Sequence, residues 1–448
     1  MMATRYSAYK PYDTAWLPEL PAHWSRSRIK FLATFMVSGG TPPTSVDGYW
    51  GGDIAWVSPK DMKTGIITET EDYITPDAIA VSAARMVPAR TLLMVVRSGI
   101  LRHSIPVALA GKHLAINQDI KAIGFSNRIL PDFAKYFIEG QQAVLLSRWC
   151  KPGTTVESIE SEYFANDEMP VPPIVDQSAI VRFLDSETAR IDELIDKERR
   201  LLELLEEKRL AVITHAVTKG LDPKARMKDS GIDWLGQIPA HWELKRLKYF
   251  SAVYDCKHVT PTYIDDGFPL VSTTEVKPFS LAFSAARQVG EDDFSNMTEG
   301  GRLPTRDDII YSRNVSVGSA ARVADEVSFC MGQDLCLIRP AHEVRSEFLE
   351  FSLNSNAVLG QIDSLTVGAT FKRINVERIR NYWIPLPPDD EQHRIILYLE
   401  GNIAHLRRIT TAVEMAIQRL VEYRSALITN AVTGKIDVRD LKNREAAA

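Results

Sequence analysis

No run of eighteen or more apolar residues occurs in the 448-residue sequence, so nothing in it reads as a membrane-spanning helix. The opening stretch, MMATRYSAYKPYDTAW, lacks the apolar core of a secretion signal. Together these absences predict a cytoplasmic protein. Cysteine is scarce: Cys150, Cys256, Cys330 and Cys336 form no C-x-x-C pair, and no histidine pair stands beside them at zinc spacing. A disulfide framework and a structural zinc are therefore not expected, and the reading is free thiols and no metal centre. An excess of positive charge is missing too. The formal net charge is -5. Residues 1–172 carry 17 basic and 17 acidic side chains, and no other segment is strongly basic. Any binding of DNA must then rest on local basic stripes and base contacts, aided by partners, rather than on bulk attraction.

Familiar catalytic patterns are also lacking. Gly111-Lys112 has no upstream glycine spacing for a phosphate loop. There is no G-x-S-x-G elbow, no H-E-x-x-H helix and no Asn-Pro-Pro-aromatic or Asp-Pro-Pro-aromatic element. Asp307-Asp308 could suggest a nuclease, but no Glu-x-Lys partner follows at a useful distance. The pair reads more simply as the cap of a strand.

What the chain does contain is a second copy of itself. WLPELPAHWSRSRIKFL (16–32) and WLGQIPAHWELKRLKYF (234–250) agree at eight of 17 positions. Residues 153–222 align without a gap to 368–437, with 22 of 70 identical. Gln118-Asp119 and Gln333-Asp334 keep the same offset of 215. Each copy is a variable globular segment followed by a more similar helical one. The globular segments read as mixed α/β. Candidate strands lie at 54–57, 91–96 and 308–312, and helical pieces near 131–147 and 345–360. Two copies are too few for a solenoid and suit a pseudo-symmetric molecule.

Each globular segment ends in a proline run, Pro170-Val171-Pro172-Pro173 and Pro385-Leu386-Pro387-Pro388. A helix is expected just after it, because proline is tolerated only at a helix start. Acids follow at once, Asp176 in one copy and Asp389, Asp390 and Glu391 in the other, where the helix dipole favours them. Leu399, Leu406, Val413, Leu420 and Leu427 then fall seven apart, with Ile403 and Ile417 in the alternate seam. The first copy has Leu184, Ile191 and Leu205, with Ile195 and Leu202. Such stripes at coiled-coil spacing predict two rods of ~38 residues, roughly 57 Å each. A lone rod with one apolar stripe is unstable in water, so the two are expected to pair antiparallel within the chain. Glu198 and Thr410 interrupt the stripes; they either fix register or mark a loose point.

At this level the sequence resembles the specificity subunits of type I restriction-modification systems. Ser38–Met62 and Tyr254–Val276 are similar to the early part of their target-recognition domains. The PAHW motifs, the Gly-x-Thr loops (Gly153-Thr154-Thr155 and Gly368-Ala369-Thr370), the proline entries and the AVTKGLD and AVTGKID helix exits fit as well. Cys256 departs from the glycine usual in such motifs. The resemblance implies an α+β fold with two recognition domains, 1–172 and 223–387. It implies a helix with linker at 173–222, a second helix at 388–437 and a disordered tail at 438–448. It also implies that each domain reads one half of a split, asymmetric double-stranded DNA target while the antiparallel helices act as a ruler. Two methylation subunits would dock on those helices and carry S-adenosylmethionine; this chain itself would hold no cofactor and catalyse nothing. A motor-nuclease subunit would join for restriction. A coiled-coil interaction scaffold that ignores DNA, and a DNA-modifying enzyme with a dispersed site, stay open as alternatives.

Base reading needs paired hydrogen bonds, chiefly from Arg or Lys to guanine and from Asn or Gln to adenine. Arg97 and Ser98 follow the strand ending at Val96, and Arg313 and Asn314 hold nearly the same place in the second copy. Lys372 and Arg373, before the second proline run, suit phosphate. Lys60, Lys151 and Thr155 in the first copy, with Lys257, His258 and Thr273 in the second, lie in comparable loops. A structural ion pair or a solvated turn is the plain alternative at each. The repeated Gln118, Gln333 and PAHW residues read as scaffold.

Overall fold

A computed structural model describes residues 5–14, 16–150, 157–314, 316–324, 327–365 and 373–439. Lys151, Thr155 and Lys372, both Gly-x-Thr loops and tail residues 440–448 lie outside the described residues. Contacts divide the chain into two units, residues 1–198 with 415–448, and residues 199–414. The first long helix, Ile174–Lys219, has 46 residues and the second, Asp389–Val432, has 44. Each spans roughly 65–70 Å at 1.5 Å per residue. They exceed the sequence-based length because helix starts directly behind each proline pair, well before the heptad stripe. Each ends at a glycine in the left-handed region, Gly220 (φ 74°) or Gly434 (φ 71°), where a side chain would be strained.

The first unit has a five-stranded sheet, in the spatial order 33–38, 120–125, 92–95, 107–110 and 66–67. All its neighbours are antiparallel except the last pair. A four-stranded sheet beside it runs 72–74, 50–57, 114–116, 85–87, with a parallel central pair. The second unit repeats the plan with 251–255, 335–340, 309–312 and 320–322. Its other sheet runs 263–264, 287–289, 268–271 and 330–331, and again pairs 268–271 with 330–331 in parallel. The fully buried strand 92–95 shows no alternation, as expected when both faces are covered.

Each unit contains the start of one long helix and the end of the other, the order an antiparallel pair requires. In the first unit Leu184, Ile191 and Ile195 share a core with Leu427 and Ile428, and Ile417 and Leu420 are partly buried against it. Asp192 and Arg424 close that seam with an ion pair at 2.8 Å. In the second unit Ile213 and Val217 share a core with Leu399, against which Ile403 packs. Leu205, Leu406 and Val413 are buried and Leu202 half-buried. Burial of each such side chain is worth ~1.5–3 kcal/mol. Glu198 and Thr410 are half-buried.

The repeated PAHW motif fastens each globular layer to a helix start. Trp24 is fully buried, and its Nε1 donates to Asp176 at 3.2 Å while His23 Nε2 lies 2.7 Å from the same carboxylate oxygen. Trp242 donates to Glu391 at 3.0 Å, with His241 at 2.7 Å. The acids that suit the helix dipole thus also satisfy two buried indoles. One residue further on, Gln177 Nε2 donates to the carbonyls of Arg128 (2.9 Å) and Pro172 (2.8 Å), and its Oε1 accepts from Leu130 N–H (2.8 Å). Gln392 makes the same three bonds, to Glu343, Pro387 and Arg345.

Candidate nucleic-acid interface

In both units one strand end is held by a common hydrogen-bond frame. Val96 N–H donates to Asp119 O at 2.8 Å, and Ile159 N–H donates to Val96 O at 2.8 Å. In the second unit Arg313 N–H donates to Asp334 O at 2.8 Å, and Ile374 N–H donates to Arg313 O at 3.0 Å. Arg313 therefore matches Val96, and Arg97 matches Asn314. The equivalence expected between Arg97 and Arg313 is shifted by one residue. Because side chains alternate along a strand, one residue moves a side chain to the opposite face.

The shift decides what each arginine can do. Val96 and Arg313 point inward and are buried. The Arg313 guanidinium, with 5% of its side chain exposed, pairs with Asp255 at 2.7 Å and donates to Cys256 Sγ at 3.6 Å. It is the structural ion pair foreseen as the plain alternative. Burial pushes the Cys256 thiol up from its ordinary range, and Asp255 adds to the rise, so the sulfur stays protonated. Arg97 is exposed and bridges Ser158 through the backbone. Among the described residues its guanidinium has no hydrogen bond or ion pair.

The position facing Arg97 also differs between copies. Ser158 corresponds, at the 215-residue offset, to Arg373. Arg373 pairs with Asp334 at 2.7 Å, and Asn314 Nδ2 donates to the same carboxylate at 3.1 Å. One frame, with an aspartate in both copies, thus presents arginine and serine in the first unit and asparagine and arginine in the second. Arginine suits guanine and asparagine suits adenine.

The other sequence candidates have local duties. Ser98 Oγ accepts from Ile100 N–H at 3.4 Å and caps the 3-10 turn Gly99–Arg102. Lys60 is exposed but pairs with Asp72 at 2.7 Å and Glu71 at 3.5 Å; the hydrogen bond to Asp72 raises its pKa. Lys257 is held by Asn296 at 2.9 Å and by Glu299. His258 lies 3.7 Å from Asp255, so Arg313 and His258 meet on one carboxylate. The carbonyl of Thr273 accepts from Ser316 Oγ at 2.9 Å.

Against this geometry, the sequence matches the type I restriction modification DNA specificity domain over residues 21–205 and again over 283–418. The chain belongs to that family. It is 37% identical over 148 residues to the EcoR124I/EcoR124II specificity subunit of Escherichia coli, covering 33% of this chain and 37% of that protein. The chain thus spans little more than a third of that relative. It is 20% identical over 431 residues to the MjaVIII specificity subunit of Methanocaldococcus jannaschii, covering 94% of this chain and 95% of the relative. A chain solved in work on complex assembly and conformational transition of the type I R-M system shares the fold. Its TM-score is 0.69 at 16% identity, over 93% of this chain and 99% of that one.

In this specificity-family chain, sequence reading missed Asp119, Asp334 and Ser158 as members of the frame. The repeated Gln-Asp pair was the available signal, and the aspartate is its working half. Also missed was Asp255, and with it the clustering of Asp255, Cys256 and His258, whose ligand atoms lie within 4.8 Å of one another. A cation there would face the Arg313 guanidinium, which already neutralises Asp255. Asp308 of the suspected nuclease pair is buried, paired with Arg339 at 2.6 Å and capping Thr305 N–H at 2.8 Å. Among the described residues no helix is long and apolar enough to cross a membrane.

Proposed function

We propose that this chain is the DNA-reading adaptor of a type I restriction-modification enzyme, each unit reading one half of a split target. The observation that carries the proposal is the shared frame with different side chains at its rim, Arg97 and Ser158 against Asn314 and Arg373. A scaffold serving two different half-sites needs one geometry and two chemistries. The long helices would fix the unread gap, since a rigid rod holds a separation that a flexible linker cannot. They would also dock two methylation subunits, which supply S-adenosylmethionine, with a motor-nuclease subunit joining for cleavage. Exposed Leu201 and Leu204 on the first helix, and Leu397 and Tyr398 on the second, give such partners apolar ground. The chain itself would perform no chemistry, in keeping with its lack of recognisable catalytic motifs.

Methylome sequencing of a host with and without this chain, its methylation subunit present throughout, tests the reading. A two-part methyl-adenine motif should appear only with the chain. Methylation or cleavage by the isolated chain would favour the dispersed-site enzyme, and absence of salt-dependent DNA affinity would favour the scaffold.

A further inference from the structure

Exposed side chains carry no packing reason to stay alike between two diverged copies. One surface does stay alike. One short strand after the PAHW latch, each unit makes a 3-10 turn, Ile29–Phe31 and Leu247–Tyr249. The turn is tied down identically, Ile29 N–H to Asp167 O at 3.0 Å and Leu247 N–H to Tyr382 O at 2.9 Å. Its first residue is buried and its last is an aromatic ring facing solvent. Phe31 is 63% exposed and Tyr249 69%, each the most exposed aromatic of its unit among the described residues. Lys30 and Lys248, both exposed, stand over these rings at 5.2 and 5.6 Å.

The neighbouring short helices, Ser161–Asn166 and Val376–Arg380, add a second matching pair. Glu162 and Glu377 are both exposed. Asn166 accepts from Lys30 at 2.7 Å, and Asn381 accepts from Arg246 at 2.7 Å. In the first unit an open cleft of about 510 Å³ lies here, lined by Arg148, Glu162, Tyr163, Asn166 and Asp167. Each unit therefore shows an exposed aromatic ring under a lysine, with a short helix that carries an exposed glutamate in contact with the same turn.

We infer that Phe31 and Tyr249 are equivalent anchor points at which two copies of one protein partner, the methylation subunit, dock on the two units. The inference rests on the adaptor reading and deepens it by locating a contact outside the long helices. A partner met twice accounts for a surface kept twice, whereas the two DNA half-sites differ. The DNA backbone is alike in both halves, but a solvent-facing aromatic ring is a poor phosphate grip. Charge complementarity sets the partner's chemistry: an apolar socket with an acidic group opposite Lys30 or Lys248 and a basic group opposite Glu162 or Glu377.

The test uses the full chain co-purified with the methylation subunit of its own system. Phe31→Ala and Tyr249→Ala are made singly and together, and native mass spectrometry across a dilution series counts bound subunits. Because both rings are exposed, the melting temperature should stay unchanged. Each single variant should weaken one of the two binding steps by roughly 10- to 30-fold, as loss of an aromatic anchor does. The double variant should weaken both. Affinity of the isolated chain for a DNA duplex should not move. Wild-type stoichiometry and affinity in the double variant would overturn the anchor assignment alone, as would a loss of DNA affinity with partner binding intact. A wild-type chain that binds no methylation subunit would overturn the adaptor reading with it.

Discussion

Gln177 and Gln392 each satisfy three backbone groups at the junction of a globular layer and a helix start. Replacing Gln177 by leucine would leave a buried N–H and two carbonyls unpaired, so a loss of ~2–4 kcal/mol is expected in chemical denaturation. Arg97 and Arg313 should separate two roles. Arg97→Ala is expected to leave stability unchanged and to relax one half-site by ~1–3 kcal/mol, read in competition binding with single-base variants. Arg313→Ala removes the partner of Asp255, and because that acid is about a third exposed the cost should be ~1–2 kcal/mol rather than that of a fully buried pair. Glu350 gives a pH signature. Burial lifts its carboxyl pKa to about 7, against the lowering effect of the Arg322 N–H. A carboxyl raised on folding favours the folded state fully below its unfolded value, near 4.5, and loses that contribution as pH rises through about 7. Glu350→Gln, which keeps an acceptor for Arg322, should match wild type at pH 4 and become progressively more stable than it between pH 5 and 8 in paired melting curves.

At the scale of elements, the two helices were the most legible part of the sequence. A seven-residue period survives divergence because most seam positions face the same packing demand, as Leu184, Ile191, Leu399 and Leu406 do. The start of each helix was legible too, from the proline pair and the acids behind it. The strand register was not. An insertion between the copies hides which residue of Ser312-Arg313-Asn314 answers to Arg97, and with period-two alternation one step separates a core ion pair from a solvent-facing donor. The glutamine staples escaped for a different reason: a buried, satisfied glutamine has the same sequence appearance as an exposed one. The ruler role of the helices is open to direct test. Two added heptads in each helix lengthen it by ~21 Å. The unread gap should then grow by about six base pairs at 3.4 Å per step, with both half-site sequences unchanged. Altered half-sites would contradict a ruler.

At the scale of the whole molecule, duplication explains what is kept and what has drifted. The latches Trp24–Asp176 and Trp242–Glu391, the glutamine staples and the frame around Asp119 and Asp334 recur because both units are built the same way. The rim of the frame has drifted, as expected if each copy serves a different half-site. The proposed function was legible chiefly through the order of weak motifs repeated twice, since composition and a net charge of -5 argue against nucleic acid. The rim chemistry was legible only in part, because it depends on which side of a strand each residue faces. The most direct measurement is an exchange of residues 1–172 for the recognition domain of another specificity subunit, followed by methylome sequencing. The account predicts a motif in which one half is replaced while the other half and the gap are retained. A motif changed in both halves, or in neither, would contradict it.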